Sequence, residues 1–245
     1  RFFIFYLIIF NLFFFNCFSS EQITFDVNEL EILDGGNKII GKNRGIINTN
    51  NGITIEANEF EFDKKKNILN AQGNITIKDQ VNNYNFSSQY ISYFKNEERI
   101  ELNGKSEALV NTNFKFNSEN ITILRNDMMI SSDVGATILD NKSLTRYEIG
   151  KFSYNLKEKI LKGEKIFINT KYNEPFSDKY YFKSAVFNLQ NQSYIAQDIN
   201  IDFKKDMFGN EENDPRFKGL SSSSKNGVTT INKGIFTSCK KNENF

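Results

Sequence analysis

The feature that most constrains this chain is an internal repeat of about thirty residues. The segment Ile23-Thr24-Phe25-Asp26-Val27-Asn28-Glu29-Leu30-Glu31-Ile32 matches Ile53-Thr54-Ile55-Glu56-Ala57-Asn58-Glu59-Phe60-Glu61-Phe62 in kind at every position, at an offset of 30. Reduced to apolar-x-small-x-x-apolar-x-apolar, the pattern returns as Phe86-Ser88-Ile91-Tyr93, Phe116-Ser118-Ile121-Ile123, Tyr147-Ile149-Phe152-Tyr154 and Phe182-Ser184-Phe187-Leu189. Successive starts at residues 25, 55, 86, 116, 147 and 182 are 30, 31, 30, 31 and 35 residues apart. Such a repeat is one supersecondary unit stacked on copies of itself, so the chain reads as an array.

Inside each unit, apolar residues alternate with polar ones, the period-2 mark of a strand with one buried face. The phase slips once per unit: Ile53, Ile55 and Ala57 stand at odd positions, Phe60 and Phe62 at even ones. A slip of one residue would turn the apolar side chains outward unless the strand bends there, so each unit is expected to carry a corner at its middle. A second half-unit follows the polar turn at 63–67 and reads Leu69-x-Ala71-x-Gly73-x-Ile75-x-Ile77, with echoes at Ile100-x-Leu102-x-Gly104 and, more loosely, at Leu161-x-Gly163. Glycine inside a strand marks a bulge or a close backbone approach. The expected fold is all-β: a twisted, V-shaped β-jellyroll of stacked bent hairpins, with about a dozen short strands and two walls enclosing one apolar trough.

Composition narrows the chemistry. Lys and Arg number 31 against 30 Asp and Glu, a net charge of +1, which gives no basic face for nucleic acid. There is no His, so Ser-His-Asp and Cys-His nucleophilic chemistry and His-ligated zinc or haem are excluded. No calcium-loop motif is present, and no cofactor or metal site is expected. A binding, structural or transport role remains, or an enzyme working with carboxylates alone.

Residues 1–20 read as a secretory signal peptide: Arg1, an apolar run from Phe2 to Phe15, then Cys17 and Ser19 at the −3 and −1 positions of a cleavage after Ser19. The competing reading is a retained membrane anchor, because the run is close to spanning length. Either way the chain after Glu21 lies outside the cytoplasm, where a cysteine can be oxidised. Residues 21–206 form the expected jellyroll. The pattern breaks at 207–213, and the turn-rich 214–219 and the serines 221–224 suggest a linker. Residues 207–245 are therefore expected to hold a linker and the start of a further element.

The inward set is rich in Phe, Tyr and Ile, and small Ala57, Ser88 and Ser118 alternate with large neighbours. Ordinary core packing and an apolar slot wide enough for acyl chains both fit that pattern.

The secretory start, the hairpin repeat Ile53 to Phe62 followed by Ala71-x-Gly73-x-Ile75-x-Ile77, and Phe236-Thr237-Ser238-Cys239 together resemble the LptD family of LPS-assembly proteins, formerly called organic-solvent-tolerance proteins, in its OstA-like jellyroll region. The resemblance covers essentially the whole mature chain. Asp214-Pro215-Arg216-Phe217-Lys218-Gly219 and the terminal F-T-S-C are similar to the stretch where that family's jellyroll meets its outer-membrane barrel, and they separate it from the jellyroll relatives LptA and LptC. The resemblance implies transport without chemistry, on the periplasmic side of the outer membrane. Lipopolysaccharide would be received from an LptA-like bridge protein by edge-strand addition and passed to the outer-membrane barrel of the same protein, which holds an LptE-like lipoprotein plug. The residues agree with it: a trough lined by Phe60, Phe62, Ile75, Ile77, Ile91, Tyr93, Leu102, Phe114, Phe116, Ile121, Ile123, Phe152 and Tyr154 can hold acyl chains. Buried apolar area contributes about 25 cal/mol per Å², so several chains could be held without polar specificity. The unit Ile23 to Ile32 is the candidate edge for the bridge protein. The resemblance further implies a disulfide from Cys239 to a partner outside this chain. No second cysteine stands near the mature amino end, as one does in some family members, so the number of such bridges stays open.

The rival within transport is a free-standing LptA-like or LptC-like jellyroll. The enzyme rival is a carbohydrate-active β-solenoid using paired carboxylates, with Glu59, Glu61, Asp63, Glu97 and Glu98 as candidates. Those residues read better as solvated turn and outward positions, and sugar clefts favour Trp, which is absent.

Overall fold

A computed structural model describes residues 23–110, 113–210 and 212–241. The signal-peptide or anchor segment and Cys17 lie outside the described residues. Among the described residues, seventeen strands form one antiparallel sheet. In chain order they are β1 (Ile23–Leu33), β2 (Lys38–Thr49), β3 (Ile53–Ala57), β4 (Glu59–Asp63), β5 (Ile68–Asp79), β6 (Tyr84–Phe94), β7 (Arg99–Val110), β8 (Phe114–Leu124), β9 (Met129–Ser132), β10 (Ala136–Asp140), β11 (Thr145–Asn155), β12 (Ile160–Asn169), β13 (Lys179–Asn188), β14 (Ser193–Asp202), β15 (Arg216–Lys225), β16 (Val228–Asn232) and β17 (Ile235–Thr237). Helical structure among the described residues is confined to 3-10 turns at Asp34–Gly36, Lys95–Glu97 and Lys205–Phe208.

Each strand pairs with its sequence neighbours, and three rungs of the ladder are shared by two short strands: β3 with β4, β9 with β10, and β16 with β17. The seventeen strands thus make fourteen rungs. The sequence suggested about a dozen short strands. The count is higher because those three rungs break at their corners and because pairing continues beyond residue 206.

The corner that the phase slip demanded lies in the middle of the rungs. The ladder shifts register between Val27 and Glu29, Gln72 and Ile75, Ser87 and Tyr90, and Asn103 and Ser106. The backbone cause alternates. Every second rung places a residue in the left-handed region at its corner: Asn43 and Arg44, Gly73 and Asn74, Gly104, Gly135, Lys165, Asp198 and Lys233. The rungs between them, such as β6, β8, β11 and β13, bend without one. One left-handed corner per hairpin is the physical basis of the thirty-residue repeat. Glycine supplies it where φ is +80° at Gly73 and +78° at Gly104, because the missing Cβ removes the steric penalty. Gly163 differs from that expectation: its φ is not positive, the corner falls at Lys165, and a Cβ on Gly163 would sit 2.8 Å from Ile149 Cγ2. It marks a close approach.

The bend divides the ladder into two walls. The first holds the strand halves aligned with β4, such as 68–72, 90–94 and 120–124. The second holds those aligned with β3, such as 75–79, 84–88 and 114–118. Inward side chains of the two walls meet. Phe62 of the first wall lies 6.1 Å from Phe25 of the second, and Phe116 of the second lies 5.7 Å from Phe152 of the first, between ring centroids. The outer faces carry the polar residues of the alternation.

Serines occupy the corners. Ser88 Oγ donates to Asn103 O at 3.0 Å or Tyr90 O at 3.1 Å and lies 3.0 Å from Ser106 Oγ. Ser118 Oγ donates to Gly135 O at 2.6 Å or Asn120 O at 2.9 Å. These hydroxyls satisfy carbonyls that the bulges release from the ladder. The small residues at this repeat position, read from the sequence as a hint of a slot, are therefore explained at Ser88 and Ser118 by the bend.

Residues 216–225, which the sequence suggested were turn-rich and low in complexity, form β15. Tyr194 to Gln197 of β14 pair with Ser224 to Ser221, and the sheet runs on without a gap in its ladder. Ser222 stands opposite Ala196 at an inward position and is buried. A polar run hid a strand because its inward residues are serines rather than aliphatics.

Candidate functional site

The two walls bring all thirteen sequence-identified trough residues to the inner face. Phe60, Phe62, Ile91, Tyr93, Leu102, Ile121, Ile123, Phe152 and Tyr154 come from the first wall, and Ile75, Ile77, Phe114 and Phe116 from the second. Twelve are buried in one continuous cluster, and Phe114 is half-buried against it. Inward residues outside that set extend the lining, among them Ile47, Ile55, Ile138, Ile166, Phe182 and Phe187. They follow the same period-2 rule. Phe116 also lies 5.5 Å from Tyr154, and Phe182 lies 6.1 Å from Phe187 across the bend of β13. The interior is thus apolar along its length and filled by side chains of the two walls. The hydroxyls of Tyr154 and Tyr194 and the Ser222 Oγ are buried within it without a hydrogen-bond partner. Burial, with Tyr84 nearby, pushes the Tyr154 phenol up to about 12.

At both ends of the trough, inward side chains are exposed among the described residues. β1 pairs only with β2 among the described strands. Leu30 and Ile32, in register with Gly41 and Ile39 on the inward face, are 49% and 61% exposed. At the other end, Phe236 stands opposite Phe217, with ring centroids 4.9 Å apart, and remains exposed. Phe208 packs on Phe236 at 5.9 Å. Cys239 follows as an exposed free thiol; its backbone is fixed by Arg216 Nη1, which donates to Cys239 O at 2.7 Å.

Of the candidate carboxylates, Glu61 pairs with Lys38 at 2.9 Å, Asp63 with Lys66 at 3.4 Å and Glu97 with Arg99 at 2.8 Å, while Glu59 accepts from Gln72. All are surface contacts, of the kind that contributes little. Glu98 is different. It belongs to a network that sequence reasoning missed, built from four turns and strand ends. Arg125 Nε meets Asp79 Oδ2 at 3.0 Å, and Arg125 Nη1 meets Glu98 Oε2. Arg125 Nη2 donates to Asn51 O at 3.1 Å. Asn51 Nδ2 donates to Glu98 Oε1 at 2.8 Å and to the Tyr93 hydroxyl at 2.9 Å, and that hydroxyl donates to Glu98 Oε1 at 2.8 Å. The side chains of Arg125, Asp79 and Glu98 are 9%, 5% and 15% exposed.

Burial alone would raise the Asp79 carboxyl, but hydrogen bonds from Asn82 and Arg125 outweigh it and hold the group below its ordinary 3.8. Burial pushes the Tyr93 phenol up, and Glu98 adds to that rise. A carboxyl that titrates lower when folded contributes stability that is complete above the unfolded value and is lost as pH falls through the folded one. The stability difference between the parent and Asp79→Asn should therefore be constant near neutrality and narrow below pH 3.8, measured by denaturant unfolding across pH. A difference that does not change with pH would contradict the placement of Asp79.

No family model matches the chain, and no curated protein matches it. Among solved structures, the crystal structure of LptH from Pseudomonas aeruginosa, described as the LptA-homologous periplasmic component of the conserved lipopolysaccharide transport device, is similar at 14% identity with a TM-score of 0.39. The match covers 42% of this chain and 76% of that one.

Proposed function

We propose that this protein carries the acyl chains of lipopolysaccharide through its interior, as a periplasmic jellyroll of the outer-membrane assembly route. The observation that carries the reading is an apolar interior continuous through the ladder, which reaches inward Leu30 and Ile32, exposed on β1 among the described residues. Here a second jellyroll added at the free edge of β1 would extend the same apolar surface by strand addition. The unpartnered hydroxyls of Tyr154, Tyr194 and Ser222 support a guest with hydroxyl or ester groups, since buried polar atoms seldom stay unsatisfied. The closed interior requires the walls to yield around the cargo, with acyl chains replacing ring-to-ring contacts of similar apolar character.

In the finer form of the proposal, the edge of β1 receives lipopolysaccharide from an LptA-like bridge. The strands after β14 lead toward an outer-membrane barrel with an LptE-like plug, and Cys239 bonds to a cysteine of that portion. The rival form is a free-standing bridge component. Coding sequence downstream of Phe245 separates the two: alternating segments of about ten residues with aromatic girdles belong to a barrel.

Photo-crosslinking tests the transport reading. A crosslinking residue at inward Phe62, Tyr93 or Phe116 should capture lipopolysaccharide in cells, and one at outward Glu61 or Ser92 should not. Equal capture on both faces would end the trough reading. Phe62→Asp should impair transport more than it unfolds the sheet, because a charge beside the uncovered end is costly to desolvate against an acyl chain.

A further inference from the structure

We infer that the Arg125 network is a clasp that shuts the open side of the trough over its amino-terminal half, so that an acyl chain reaches that half only from the end. The inference rests on the reading of the interior as an acyl-chain trough. Its geometric basis is where the four polar residues stand. Asp79 ends β5 and Asn51 lies in the turn from β2 to β3, both on the rim of the second wall. Glu98 lies in the turn from β6 to β7 and Arg125 in the turn from β8 to β9, both on the rim of the first wall. The contacts of Arg125 with Asp79 and Asn51, and of Asn51 with Glu98 and Tyr93, therefore run from rim to rim. The ion pairs Lys38–Glu61 and Lys115–Glu107, by contrast, join neighbouring rungs of one wall.

The chemistry of the clasp suits exclusion of an apolar guest. Where the walls meet through aromatic rings, as at Phe114–Tyr154 and Tyr147–Phe187, an acyl chain can replace one apolar surface with another. It cannot replace the hydrogen bonds of Arg125. Parting the rims there strips the buried Arg125 guanidinium from the Asp79 carboxylate and the Asn51 carbonyl, and Glu98 from the Asn51 amide, leaving Asp79 uncompensated until water enters. A clasped stretch opens far less readily than one where rings alone meet.

Spin labels across the rims test the clasp without lipid. Exposed Val81 and Asp127 lie on opposite rims beside the network. Val81→Cys and Asp127→Cys would be labelled in the full chain carrying Cys17→Ser and Cys239→Ser. In the parent the interlabel distance should be narrow; Arg125→Met should lengthen and broaden it. Glu98→Gln, which keeps the side-chain volume, gives the same reading with a milder change if Arg125→Met fails to fold by circular dichroism. In parallel, a benzophenone amino acid at buried Phe86, under the clasp, is irradiated with vesicles containing lipopolysaccharide. Capture there should rise severalfold in the unclasped variants. Unchanged distances in a folded variant overturn the clasp, and longer distances with capture no faster than in the parent overturn its control of entry. Longer distances with no capture in any chain overturn the trough reading instead, leaving a structural clasp.

Discussion

Phe116→Ala should lower the free energy of unfolding by about 3–5 kcal/mol, the range for removing a large, fully buried aromatic side chain. Phe116 is fully buried on β8 and stacks on Phe152 and Tyr154 of β11, which belong to the opposite wall. Its ring is a bridge between the walls, so truncation removes contacts on both sides and leaves a gap that the bent sheet cannot close by a local shift. Denaturant unfolding of the variant beside Ile32→Ala measures the effect, since Ile32 is inward but uncovered and its truncation should change stability by less than about 0.5 kcal/mol. Comparable losses at the two positions would mean that the walls are not in contact at Phe116.

Gly135→Val should cost about 2–5 kcal/mol, combining left-handed strain with overpacking. Gly135 connects β9 to β10 with φ +91°, and a Cβ there would lie 2.8 Å from Ile149 O and 3.3 Å from Gly150 O. Both are backbone atoms of β11, so no rotamer change relieves the clash. The shift would also pull Gly135 O away from Ser118 Oγ, which donates to it at 2.6 Å. Gly209→Val is the control: φ is +74° but nothing lies within 4 Å of a Cβ, so backbone strain of about 1–3 kcal/mol acts alone. Equal losses in the two variants, read as shifts in unfolding midpoint, would show that close approach at Gly135 contributes nothing.

Much of this architecture was legible because period-2 alternation survives in the sequence wherever aliphatic and aromatic residues mark the inner face. The slip between Ala57 and Phe60 located the break at Asn58, whose N–H donates to Gly73 O at 3.0 Å. Gly73 and Gly104 announced two corners. The corners at Arg44 and Lys165 were silent, since side chains of those types give no sign of a left-handed backbone. β15 was silent for the opposite reason, its inward positions being filled by serine. The Arg125 network was illegible in principle. The residues that meet Arg125 lie 27, 46 and 74 positions from it, each in or beside a stretch that reads as a polar turn, and only the curvature of two walls brings them together.

The alternation of left-handed and plain corners also sets what lengths this molecule can take. A single strand cannot be removed without reversing the chain direction of everything downstream and placing two corners of one kind side by side. A whole hairpin can, because its departure restores both polarity and corner order. Growth is therefore quantised in steps of two rungs, and the reach of the interior is a ruler graduated in hairpins.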